Sequence, residues 1–198
     1  MTSLWTSTTT TPWRAALDSY ADVVDRQGVK PLAELDRWYR DELPGAIASR
    51  RRPHVMLPEL VRLAEWKMAR GVWRAPNLVR VRGNAPSLVV ETSTSALAKI
   101  PHPTAPVVEM ATLDGVGPAT ASAVAAASAP ELYPFFDELV AGQVPGLGTV
   151  AWTLPYYARY ATALRNRAEA LGGEWSPVMV ERALWAHIGG KAGAKNRK

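Results

Sequence analysis

The chain has 198 residues, 47% of them apolar, enough for one domain or two small lobes around a shared core. It contains no cysteine, which excludes disulfides, thiolate zinc sites, iron–sulfur clusters and a cysteine nucleophile. Net charge is +5, but Lys191, Lys195, Arg197 and Lys198 all fall in the last eight residues, so the basicity is mainly a C-terminal property. His54, His102 and His187 lie far apart without ligand spacing, and neither a metal nor a cofactor is expected. No apolar run is long enough to span a bilayer. The Thr/Ser-rich residues 1–12 read as a flexible N-terminal tail rather than a signal peptide. The expectation is a cytoplasmic monomer with no membrane partner.

In chain order, helices are predicted over residues 13–24 and 32–42, and Pro44 and the Arg50-Arg51-Arg52-Pro53 stretch then break the helical pattern. Residues 57–69 predict an amphipathic helix, because Leu57, Leu60, Val61, Ala64 and Met68 share one face. Gly71 is placed to stop it. Asn77 is read as the cap of a short helix to Arg82, ended by Gly83-Asn84. Residues 86–99 give two short helical turns or one broken helix. Residues 107–113 and 118–128 form a pair around a sharp turn. A helix is expected to start near Asp137, with a Gly/Pro-rich loop over 142–149 after it. Thr153 is placed to cap a long helix over 155–171, closed by Gly172-Gly173. Ser176-Pro177 opens a last helix to about Ile188. No strand, repeat or heptad pattern is present. The expected fold is therefore all-α, a single helical domain over 13–189 built as two lobes. A hairpin lobe covers about 54–140, the second lobe comes from both ends of the chain, and 190–198 form a basic C-terminal tail.

The turn in Leu113-Asp114-Gly115-Val116-Gly117-Pro118-Ala119-Thr120-Ala121 has a chemistry of its own. Two glycines one residue apart allow positive φ and close backbone approach. Val116 can tuck inward, and Pro118 starts the next helix where its missing N–H is harmless. The exposed amides at that helix start form a concave site for an anion. The Gly-x-Gly tripeptide alone fits a bare helix connector equally well.

The longer pattern resembles the hairpin of the helix-hairpin-helix (HhH-GPD) DNA glycosylase superfamily, over residues 107–140. In that family an aspartate in an apolar context comes about one helix and one loop later. Here Asp137 stands twenty residues after Gly117, in Pro134-Phe135-Phe136-Asp137-Glu138. The resemblance implies a DNA-binding cleft between the lobes, a helix-hairpin-helix at residues 107–128, and double-stranded DNA as partner. It implies backbone-phosphate contacts from Gly115, Val116, Gly117, Ala119 and Thr120, with Asp137 as the catalytic residue. Bifunctional members carry a nucleophilic lysine two residues after the second glycine, where this chain has Ala119, and several branches hold a cluster through cysteines, which are missing here. The version implied is cluster-free and monofunctional: it hydrolyses the base–sugar bond and does not use a lysine to cut the strand.

Breaking an N-glycosidic bond builds positive charge on the sugar, which a carboxylate such as Asp137 can stabilise while orienting water. Asp137 taken alone is also a favourable helix-start acid. A flipped base needs an apolar or aromatic pocket. Trp66, Lys67, Arg70, Trp73 and Arg74 interleave basic and aromatic side chains around one helix end and are candidates for base pocket or DNA contact. So are Asn84, as base-edge reader or helix cap, and Tyr156 and Tyr157, as stacking or wedge residues. The expected substrate is a damaged or modified base, a modified base in phage DNA included, which would make the role repair or antiviral defence. Two other readings stay open: a non-catalytic helix-hairpin-helix DNA-binding module, and a helical protein–protein adaptor in which the hairpin only connects helices.

Overall fold

The computed structural model describes residues 3–196. The fold is all-α, and no strand occurs among the described residues. The elements are α1 (Thr10–Asp18), α2 (Tyr20–Asp25), α3 (Leu32–Arg37), α4 (Leu43–Ala48), α5 (Leu57–Arg70), α6 (Ala75–Arg82) and α7 (Pro86–Leu97). Next come α8 (Ala105–Met110), α9 (Pro118–Ser128), α10 (Glu138–Ala141), α11 (Leu154–Leu171), α12 (Pro177–His187) and α13 (Gly190–Lys195). No helix among these residues is long and apolar enough to cross a membrane, and no group of three His, Asp or Glu side chains could hold a metal ion.

Two helices organise the packing. α9 is buried from Ala119 to Ala127, because its alanines let α4, α5 and α8 approach it closely. α12 is the other hub, packed by α1, α2, α10, α11 and α13, so both ends of the chain converge on it. α5 links the two groups through α3 and α9, and one continuous apolar core runs through both.

Local signals set several boundaries. Thr153 Oγ1 accepts from the Tyr156 amide at 3.3 Å and Ser176 Oγ from the Met179 amide at 3.2 Å, capping α11 and α12 as their sequences predict. Glu59 Oε2 accepts from the Met56 amide at 2.8 Å, fixing the start of α5.

Several expectations are corrected. The first helix breaks at Ser19, whose hydroxyl bonds back to the Ala16 carbonyl at 2.8 Å, giving α1 and α2. Pro44 does not end the second helix. A π-helical turn over Trp38–Glu42 opens the register just before it, and α4 starts with the proline in its first turn, where no N–H is needed. Residues 86–97 form one unbroken helix. Asn77 lies inside α6, which starts two residues before it.

Neither expected tail is loose where the structure describes it. Leu4 is buried within a 3₁₀ turn over Leu4–Thr6 that packs on α12. Trp5 meets Trp13 edge-on at 6.4 Å, and Trp13 Nε1 donates to the Ser7 carbonyl at 3.1 Å. The reason is hydrophobic: two large apolar side chains inside a polar stretch find apolar surface to cover. At the other end, residues 190–195 form α13. The Ala192 amide donates to Gln27 Oε1 at 2.9 Å, and the Lys191 ammonium donates to the Gly71 carbonyl at the end of α5. Met1, Thr2, Arg197 and Lys198 lie outside the described residues.

Candidate active site

The hairpin turn joins α8 to α9, and its two glycines have different reasons. Gly115 has φ of +73°, and a Cβ there would sit 2.6 Å from the Asn77 carbonyl oxygen and 2.8 Å from the Val81 nitrogen. It is a glycine because α6 packs against its Cα. Gly117 is extended, with φ of −89°, and a Cβ there would meet nothing within 4 Å. Nothing inside the fold asks for glycine at 117. Val116 is buried beneath the turn. Ala119 and Thr120 have buried side chains, so what they offer outward is main-chain N–H at the start of α9, where no intrahelical acceptor exists.

Asn84 anchors this turn from the end of α6. Its Nδ2 donates to the Asp114 carbonyl at 2.9 Å and the Val81 carbonyl at 3.0 Å, and its Oδ1 accepts from the Asp114 amide at 3.0 Å. It is 7% exposed, and its side chain is spent on holding the hairpin, which removes it as a base reader. Asn84→Ala should cost about 2 kcal/mol in denaturant unfolding, because the Asp114 main chain loses both partners.

α9 also positions the segment that carries Asp137. Ser122 Oγ accepts from the Phe136 amide at 2.9 Å, and Tyr160 Oη donates to the Phe135 carbonyl at 2.7 Å. Asp137 then caps α10: its Oδ1 accepts from the amides of Leu139 at 2.8 Å and Val140 at 3.3 Å. The local reading of Asp137 as a helix cap is correct. Its other oxygen is not committed to the helix. Asp137 Oδ2 lies 3.5 Å from Arg70 Nε, at the edge of a cavity.

Arg70 is buried on the last turn of α5, 2% exposed. Its Nη2 pairs closely with Glu181 of α12, and its Nη1 donates to Tyr20 Oη at 3.4 Å. Its guanidinium carbon lies 4.5 Å from the Trp185 ring centre and 5.2 Å from that of Phe135. Glu181 thus engages the far end of the arginine, while Nε, the atom nearest Asp137, is a buried donor without a hydrogen-bond partner.

Burial pushes the Glu181 carboxyl up to about 7 from its ordinary 4.5, against the opposing pull of Arg70. The folded state therefore favours neutral Glu181. The stability this contributes is complete below about pH 4.5 and is lost as pH rises through about 7. Denaturant midpoints of wild type and Glu181→Gln across pH 4.5 to 8 should show a flatter profile for the variant.

Two cavities open beside these groups. One, about 160 Å³, is lined by Asp137, Glu138 and Leu139, by Phe135 and Phe136, by Lys67, Arg70, Gly71, Val72 and Arg74, and by Trp152 and Lys191. The other, about 240 Å³, is lined by Gly115, Gly117, Pro118, Ala119 and Thr120 of the hairpin together with Asn77, Lys67, Arg74 and Trp152. Lys67, Arg74 and Trp152 border both, so the hairpin turn and Asp137 give onto adjoining recesses.

Of the interleaved segment, Lys67, Arg70 and Arg74 reach the Asp137 cavity. Trp66 does not: it is core, stacked on Tyr39 at 3.8 Å with its Nε1 donating to Asp36 Oδ1 at 3.0 Å. Trp73 is 54% exposed but lines a separate recess with Arg62 and Glu65. Tyr156 and Tyr157 are buried against Phe136 and cannot act as wedges. The aromatic side chain that borders both cavities is Trp152, 44% exposed, packed at 4.9 Å on Phe136. Its signal was a lone tryptophan after a Gly/Pro-rich loop, which sequence alone does not separate from a core residue. Lys191, Glu181 and Ser122 carried no local signal.

No protein-family model, no curated protein and no solved structure matches this chain.

Proposed function

We propose that this protein is a monofunctional DNA glycosylase of the helix-hairpin-helix kind, which turns a damaged or modified base out of double-stranded DNA and hydrolyses its bond to the sugar. The observation that carries the reading is the border shared by the hairpin cavity and the Asp137 cavity: Lys67, Arg74 and Trp152. A phosphate held on the amides of Ala119 and Thr120 and a sugar near Asp137 belong to one strand passing over those three residues.

In this mechanism Asp137 Oδ2 faces the sugar. As the base leaves with the bonding electron pair, positive charge grows on C1′ and the ring oxygen, and the carboxylate stabilises it. A water on the Asp137 side gives its oxygen to C1′ and its proton to the carboxylate. Phe135 and Phe136 exclude bulk water and strengthen the field. Trp152 offers a face on which the extruded base stacks. With Ala119 at the position after the hairpin, no lysine from that site forms an imine with the sugar.

The non-catalytic DNA-binding reading draws on one observation, the Arg70 Nε that lies 3.5 Å from Asp137 and offsets part of its charge. One assay decides. The full chain is incubated with normal, damaged and phage-derived modified duplexes, and abasic sites are counted. Abasic sites on at least one substrate support the glycosylase. Salt-dependent binding without abasic sites on any of them supports the module. No binding leaves the adaptor.

A further inference from the structure

The walls of the Asp137 cavity hold a charge imbalance that excision of a neutral base does not need. Phe135, Phe136, Leu139 and Trp152 supply apolar surface suited to the faces of a flat ring. Between them stand Lys67 and Arg74, whose side chains make no hydrogen bond or ion pair among the described residues. The two carboxylates of the lining do not cancel them: Asp137 has its Oδ1 taken by two amides and its Oδ2 facing Arg70, and the exposed Glu138 is matched in number by a fourth cation, Lys191. Arg74 is exposed at the rim, whereas Lys67 is half-buried.

We propose that the ring this cavity takes is acidic: a nucleobase bearing a carboxylate or another anionic oxygen on its edge, met by Lys67 inside the cavity and Arg74 at its mouth. The proposal rests on the glycosylase reading only in that the ring arrives on a DNA strand. An ammonium partly removed from water without a counter-charge is unfavourable. Burial accordingly lowers the Lys67 amine below its ordinary range, Arg74 lowers it further, and Asp137 offsets only part of this. An anionic edge supplies the missing counter-charge, while a methyl-bearing ring of the same shape would desolvate Lys67 further. The competing source of negative charge is a backbone phosphate, which would engage Lys67 whatever base is present.

Orotate and uracil, the same ring with and without a carboxylate, are titrated calorimetrically into the full chain and its Lys67→Met variant. Orotate is expected to bind about ten- to a hundredfold more tightly than uracil, and Lys67→Met to remove most of that preference with the unfolding temperature unchanged. In a second arm, duplexes carrying one 5-carboxycytosine or one 5-methylcytosine are compared. The carboxylated duplex is expected to bind more tightly, again through Lys67. Equal affinity for the two rings, or no binding of either, overturns the proposal. So does an equal loss on both duplexes in Lys67→Met, which assigns the cation to a phosphate. Abasic sites from neutral bases only would remove this proposal and keep the glycosylase. A Lys67-dependent preference for the acidic ring without base release would do the reverse.

Discussion

Asp137→Asn is expected to lower base release by about a thousandfold while leaving DNA affinity and fold intact. The two outcomes separate because the two oxygens of Asp137 have different work. Oδ1 caps α10, and asparagine caps a helix about as well as aspartate, so the unfolding midpoint should move only slightly. In the proposed mechanism Oδ2 is the oxygen offered to the sugar, and an amide in its place would stabilise no developing positive charge. Arg70 keeps its close contact with Glu181 in the variant, so the guanidinium stays held in place. Single-turnover kinetics on any substrate from which wild type releases a base, with affinity and unfolding measured in parallel, test this. Full activity in Asp137→Asn would remove Asp137 from the mechanism. Loss of activity together with loss of fold would reduce it to a cap.

The hairpin glycines should respond in opposite ways. Gly115→Ala is expected to destabilise the protein by about 3 kcal/mol, since the new methyl group meets α6 backbone and the left-handed conformation disfavours a side chain. Gly117→Ala is expected to leave stability unchanged or slightly higher, because its conformation suits alanine and its surroundings are open. Its DNA affinity should nevertheless fall about tenfold, as a methyl group keeps a phosphate from the amides at the start of α9. Urea unfolding and fluorescence anisotropy on the same two variants give both readouts. A Gly117→Ala protein that binds DNA as well as wild type would leave the turn as a helix connector, with Gly115 explained by packing alone.

The same residues show why some of the site was legible and some was not. Val116 tucked under a Gly-x-Gly turn, Pro118 opening α9 and Asp137 beginning α10 are consequences of backbone chemistry within a few residues. Among the aromatic residues, local pattern failed. Trp66, Tyr156 and Tyr157 lie beside charged or helix-start positions as a DNA-facing residue would, yet all three are core, whereas Trp152 borders both cavities. The two groups differ in what packs against them from elsewhere in the chain, Tyr39 and Asp36 for Trp66 and Phe136 for the tyrosines. The periodicity of their own helices carries no trace of that.

Sequence by itself determined that this chain is all-α, that its helices are joined by a glycine hairpin of one particular chemistry, and that an aspartate stands at the head of a short helix beyond it. These depend on caps, turns and hydrophobic spacing, which act over a handful of residues. Only the tertiary structure decided which cation faces that aspartate, that Glu181 from a distant helix engages the far end of the arginine, and that both chain ends fold back onto α12, bringing Lys191 to the cavity. Those outcomes come from burial of charges and apolar surface between segments more than 160 residues apart in places, and the cost of leaving such groups unpaired or wet is settled by the whole packed molecule.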